Sequence, residues 1–249
     1  MNTMSTFTRT ACTLALALFG WVGTAHAAVQ VVGTRVIYPA GQREVTVSIL
    51  NNNDSPRLLQ AWVDNGNSTE TAETAKAPFV VTPPMSRVEA GKGQSLRLIF
   101  TGKDLPQDRE SVFWLNVLEI PPRPKAQDGE SQNFMQFAIR TRIKIFYRPK
   151  GLEGTPAVAY EKLTWRLVQQ GTGYALECTN PSAFNVSFSA VNLGAATRHR
   201  SSITGGGMCP AKGVQTFPVE RREPTGDRVT FGVINDFGGI DEHEAAYKR

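Results

Sequence analysis

From Val29 onward the chain is cut by turn residues into short runs in which apolar side chains alternate, and helical periodicity is nearly absent. Val45, Val47 and Ile49 alternate with polar neighbours until an Asn/Asp/Pro cluster closes the run. Residues 57–65 form a second run around Trp62, residues 79–102 two strands about a Gly-rich turn, and residues 110–120 a strongly apolar strand. Side chains of a strand point alternately to its two faces, so such runs bury one face and wet the other. Short strands at this spacing specify an all-β sandwich. A Pro/Gly/Lys stretch at 148–156 interrupts the pattern, and the β style resumes at 163–194 and 214–239. The reading is all-β, with one sandwich over 28–148, a second over 149–239 and a frayed polar tail over 240–249.

The first 27 residues read as a removable export signal. Arg9 precedes the apolar stretch 11–23, which is too short and too poorly flanked to span a membrane, and "AHA" at 25–27 is a small-x-small cleavage site. An uncleaved anchor is the alternative. The formal charge of +5 falls to +4 when Arg9 leaves, and the cations are spread along the chain, which does not point to nucleic acid. Cys178 and Cys209 remain after removal of Cys12, an even pair in an oxidising compartment, and a disulfide between them is expected. Their spacing fits no zinc pattern and no ligand histidines lie nearby, so no metal or other cofactor is expected.

Little in the chain suggests catalysis. The mature chain keeps His199, in a basic turn, and His243, in the polar tail, and neither adjoins a nucleophile elbow or a metalloprotease motif. "GGG" at 205–207 lacks the Lys and Ser/Thr of a phosphate loop, and "NVS" at 185–187 matches a glycosylation sequon inside a predicted strand. A binding module, not an enzyme, is the reading.

The strand at 134–147 is unusual. Met135, Phe137 and Ile139 lie on one parity, and Arg142, Lys144 and Arg148 on the other. Alternating apolar residues usually face a core. A long strand after a proline-rich polar loop (121–133) can instead be a sheet edge whose apolar row is kept as a template for another chain. Alternation alone leaves both readings open.

Seven stretches, taken in order, resemble the periplasmic pilus-assembly chaperones of the PapD-like family: "AVQVVGTRVIYP" (28–39), "LLQAWVDN" (58–65), "VTPPMSRVEAGKGQSLRL" (81–98), "LPQDRESVFWLNVLEIPP" (105–122), "IRTRIKIFYRP" (139–149), "NPSAF" (180–184) and "VINDFGG" (233–239). The resemblance implies two immunoglobulin-like domains in an L-shaped arrangement. It implies that Arg35 and Lys144 grip the C-terminal carboxylate of a fimbrial subunit, and that Met135, Phe137 and Ile139 are lent to the subunit's incomplete sandwich as a donor strand. Glu110, Arg148 and Asp236 match the family's interdomain salt bridge, and Thr82–Pro83 or its neighbour a cis bond. The implied partners are fimbrial subunits and an outer-membrane usher; an exposed apolar row would also let the free chain self-cap as a homodimer. The implied location is the periplasm, with no membrane insertion. The loop before the donor strand is moderate and carries no cysteine pair, which resembles the short-loop subclass. Ile139 and Lys144 are an odd number apart, so a regular strand sends them to opposite faces, and a bulge or strong twist is one way to reconcile their roles. The competing expectations are an exported two-domain structural or adhesive subunit and a secreted hydrolase on a sandwich scaffold.

Overall fold

The computed structural model describes residues 29–102, 104–122, 136–171, 173–194, 201–202, 206–219 and 226–249. The expected signal segment 1–27, Met135 and His199 lie outside the described residues. Among the described residues no helix is long and apolar enough to cross a membrane.

The first sandwich is built from β1 (Val29–Val31), β2 (Arg35–Pro39), β3 (Val45–Asn51), β4 (Arg57–Asp64), β5 (Phe79–Thr82), β6 (Met85–Val88), β7 (Gly93–Phe100), β8 (Ser111–Ile120) and β9 (Ile139–Arg148). One sheet runs β1-β3-β7-β5 and the other β2-β9-β8-β4-β6. Two runs that look continuous in sequence change sheets. The opening run breaks between β1 and β2 at Gly33, whose φ of +98° suits a residue without Cβ. The run after Phe79 breaks at Thr82–Pro83, a cis bond, so 79–102 holds three strands and not two. The inward parities of β3, β7 and β8 meet in the core as Val47, Ile49, Leu96, Leu98, Phe113, Leu115 and Val117. Tyr38 sits among them with its hydroxyl donating to the Arg43 carbonyl at 3.0 Å and accepting from the Phe100 amide at 3.1 Å.

The chain then passes through a short 3-10 helix, Pro156–Lys162, into β10 (Thr164–Gln170), β11 (Gly173–Asn180), β12 (Val186–Leu193), β13 (Ser201–Ser202), β14 (Gly207–Cys209), β15 (Gly213–Val219), β16 (Arg228–Ile234) and β17 (Ile240–Lys248). No described strand of this set pairs with the first sandwich. Trp165, Phe188, Phe217 and Phe231 fill its core with tilted and edge-on ring contacts. Cys178 of β11 and Cys209 of β14 are joined by a disulfide, as the pairing argument requires.

The expectation of a frayed tail over 240–249 is wrong. Residues 240–248 form β17, antiparallel to β16 along its whole length and parallel to β10 at its end, where Tyr247 faces Trp165. His243, Ala245 and Tyr247 turn inward at period two, but the neighbouring Asp241, Glu242, Glu244 and Lys248 mask the alternation. Tyr247 is buried and its hydroxyl donates to the Gly226 carbonyl at 2.7 Å. The His243 ring stacks on Tyr160 of the 3-10 helix, with centroids 3.7 Å apart.

Candidate functional site

β9 pairs with β8 from Ser111–Tyr147 to Glu119–Ile139 without a break in register. No bulge is needed to explain its two rows, because they occupy two faces. Ile143, Ile145 and Tyr147 point into the first core. The same parity then leaves the core: Ile139 is 48% exposed and Phe137, just before the strand, is 71% exposed. The strand begins at Ile139 and not at Phe134, so Phe137 is not itself in the ladder. The other face carries Arg140, Arg142, Lys144, Phe146 and Arg148.

The two edges of β9 also differ. β8 covers one edge throughout, whereas β2 covers the other only from Arg35–Lys144 to Pro39–Arg148. Among the described residues no strand pairs that edge over 139–143. Half of β9 therefore offers unpaired backbone beside an exposed apolar row, and this open stretch ends where Arg35 and Lys144 stand opposite each other in register.

Those two cations are half-buried where the sandwiches meet, each touching the second one. Arg35 donates through Nη1 to the Ile234 carbonyl at 2.7 Å, and its Nε is buried without a partner. Its guanidinium lies 5.7 Å from the Phe146 ring centroid. Among the described residues Lys144 Nζ reaches only the Ser187 hydroxyl, at 3.3 Å. Among the described residues neither forms an ion pair. Burial, and secondarily the charge of Arg35, lowers the Lys144 pKa to about 8. Burial also pulls Arg35 downward, against the attraction of Asp236. Two desolvated positive groups with no carboxylate bonded to either among the described residues form a site whose complement is an anion.

A third cation beside them is fully paired. Arg148 Nε donates to Glu110 Oε1 at 2.7 Å, and its Nη1 and Nη2 grip Asp236 at 2.8 and 3.1 Å. Burial opposes the Arg148 charge, but Asp236 and Glu110 more than offset it and hold its pKa up. Burial pushes Glu110 upward, against Arg148 and the Asn185 amide, which donates to Oε2 at 2.9 Å. The Glu110 amide in turn donates to the Ala183 carbonyl at 2.9 Å. Asp236 rides on a turn locked by Asn235, whose Oδ1 accepts from Phe237 and Gly239 amides at 3.1 and 2.9 Å. Gly238 in that turn has φ +87°, and a Cβ there would lie 2.6 Å from Thr34 Oγ1, next to Arg35. Glu110, Arg148 and Asp236 thus join the first sandwich to the second at the rim of the cation pair.

The family description "Pili and flagellar-assembly chaperone, PapD N-terminal domain" matches residues 28–153, and "Pili assembly chaperone PapD, C-terminal domain" matches residues 158–245. The chain belongs to the PapD-like pilus-assembly chaperones. It is 42% identical over 227 residues to the chaperone protein FimB/FhaD of Bordetella pertussis, covering 89% of each chain. The solved YadV chaperone superposes with a TM-score of 0.73 at 38% identity, over 88% of this chain and all of that one. A chain from the Salmonella enterica complex of SafA pilin with SafB chaperone gives 0.72 at 30% identity, over 88% of this chain and 96% of that one.

Several contributors to the chaperone's cleft escaped the sequence reading. Ser187 and the Ile234 carbonyl hold the cations, and Ala183 and Asn185 hold Glu110. Asn185 was visible only as a sequon, but its side chain accepts from the Ala211 amide at 3.0 Å and donates to Glu110 at 3.3 Å, so it is committed to the seam. A network between two sandwiches has no local pattern in either.

Proposed function

We propose that this chaperone works in the periplasm, without catalysis or cofactor, by lending β9 and the residues before it to an incomplete fimbrial subunit. The observation that carries this is the half-open edge of β9, which ends at two cations that form no ion pair among the described residues. A subunit strand added along 139–143 occupies the lane that β2 fills from Arg35 onward. Running parallel to β9, as β2 does, it brings its C-terminus to Arg35 and Lys144. Each charge-assisted hydrogen bond to that carboxylate contributes about 1.5–3 kcal/mol.

Phe137 and Ile139, with Met135 before them, then fill the subunit's open groove at period two, at about 1.5–3 kcal/mol for each large side chain. Lys144, on the opposite face, anchors the end and sets the register. Glu110, Arg148 and Asp236 fix the angle between the sandwiches so that both contacts are made together. The subunit is released to an outer-membrane usher. In its absence the bare apolar row draws a second copy of the chaperone into a self-capping dimer.

The test is co-purification from periplasm, read by mass spectrometry, for the wild type and for Arg35→Ala with Lys144→Ala. A small fimbrial β protein that accompanies the wild type and vanishes with the double variant is the expected result. Equal retention by the variant refutes the anchor.

A further inference from the structure

A strand is ordinarily held in place by burying its apolar face. Over residues 139–143 that route is restricted: Ile139 is 48% exposed, and one backbone edge is unpaired among the described residues. The opposite face supplies the hold. Arg142 donates to Asp64 through Nη2 at 2.5 Å and Nε at 3.1 Å, and Arg140 through Nη2 at 3.5 Å. Asp64, the last residue of β4, is 0% exposed. Its remaining lone pairs accept from Asn116 Nδ2 at 2.8 Å and the Gly66 amide at 2.7 Å. Each arginine also lies over an indole, Arg140 at 4.7 Å from Trp62 and Arg142 at 4.7 Å from Trp114. Arg140 reaches further, to Asn116 Oδ1 at 2.9 Å and the Ser68 carbonyl at 2.8 Å.

We infer that Asp64 is a positioning residue for subunit capture: it clamps the one-sided half of β9 through Arg140 and Arg142, so that the strand is already extended when a subunit strand arrives. A buried charge cluster is a poor choice for stability alone, because well-packed apolar residues of similar volume do as well or better. It suits a segment whose apolar face must stay bare for a partner. Ordering the edge in advance removes a conformational cost that binding would otherwise carry. This inference rests on the donor-strand reading above. It adds to that reading the residue that prepares the strand.

The test uses the full mature chaperone and two measurements. Amide hydrogen exchange of the free protein compares wild type, Asp64→Asn, and Arg140→Gln with Arg142→Gln. The expected result is at least tenfold faster exchange at 139–143, with β3 and β7 unchanged. Binding is then measured against the fimbrial subunit that co-purifies with the wild type, and Asp64→Asn is expected to weaken it at least tenfold, chiefly by slowing association. Asp64→Glu, which keeps the charge, restores part of both losses. The Arg35→Ala, Lys144→Ala variant separates the two readings, since it should lose the subunit while keeping wild-type exchange at 139–143. Unchanged exchange at 139–143 in both clamp variants overturns the inference. So does loss of protection spread evenly over β4 and β8, which marks a merely structural role. If Asp64→Asn fails to fold, the paired arginine variant, altered on the strand itself, decides the question. Failure of the wild type to bring down any subunit counts against the donor-strand reading, and the exchange comparison still shows whether Asp64 holds the strand.

Discussion

Lys144→Met should make the free chaperone more stable and useless. The ammonium's pKa falls from 10.5 to about 8, chiefly through burial and then through Arg35. At about 1.36 kcal/mol per pH unit this corresponds to roughly 3 kcal/mol of unfavourable charge burial. The group is not sealed off and Ser187 Oγ accepts a hydrogen bond from it, so solvent screening reduces the recoverable part to about 1–2 kcal/mol. The folded state holds this proton less tightly than the unfolded chain does. Below pH 8 the penalty is therefore fully present, and between pH 8 and 10.5 it fades as the folded lysine gives up its charge. Urea unfolding of wild type and Lys144→Met at pH 7 and pH 10 measures this directly. The variant should be more stable by about 1–2 kcal/mol at pH 7, and the gap should shrink at pH 10. Subunit capture should be lost throughout. A subunit carboxylate raises the lysine pKa on binding, so wild-type affinity should itself decline as pH rises past 8. A variant less stable than the wild type at pH 7, or a gap that ignores pH, refutes the idea that Lys144 is a strained cation kept for a partner.

Arg148→Ala should behave in the opposite way. It strands buried Glu110 and frees Asp236, so unfolding free energy should drop by about 3–5 kcal/mol, and calorimetry should resolve separate transitions for the two sandwiches. Replacing Cys178 and Cys209 together by Ala should lower the stability of the second sandwich by about 3–4 kcal/mol, given the loop the bond closes, while leaving amide exchange in β9 unchanged. Phe137→Ser should reduce concentration-dependent self-association in sedimentation and weaken subunit capture without altering thermal stability, because that side chain touches little of its own chain.

Much of this was legible in the chain. Alternation in β3, β7 and β8 fixes which faces are dry, and a period of two survives translation into a sandwich. The residues that failed to declare themselves did so for identifiable reasons. β17 was mistaken for a loose end because its inward row is His243, Ala245 and Tyr247, too weak in apolar contrast against four acidic or basic neighbours. The resemblance implied a cis bond at Thr82–Pro83, but neither it nor Gly33 was read as a change of sheet, since such a change leaves no mark on alternation. Arg142 was noticed, but its partner Asp64 lies 78 positions away on β4, and nothing in "WVDN" says that its carboxylate is buried beneath two arginines.

The parity difficulty between Ile139 and Lys144 dissolves once β9 is treated as a strand with three kinds of surface. One face continues a core outward and leaves it unfinished. The opposite face is divided along its length: Arg140 and Arg142 share the single carboxylate of Asp64, Lys144 has no ion-pair partner among the described residues, and Arg148 pairs with both Glu110 and Asp236. The unpaired position is the one level with the point where the open edge ends. Of the strand's four cations, three have acids that fix the scaffold. The fourth stands beside Arg35 with no acid paired to it among the described residues, the opening that the proposed subunit carboxylate fills, and a cation so desolvated is the least tolerant of an acid's absence.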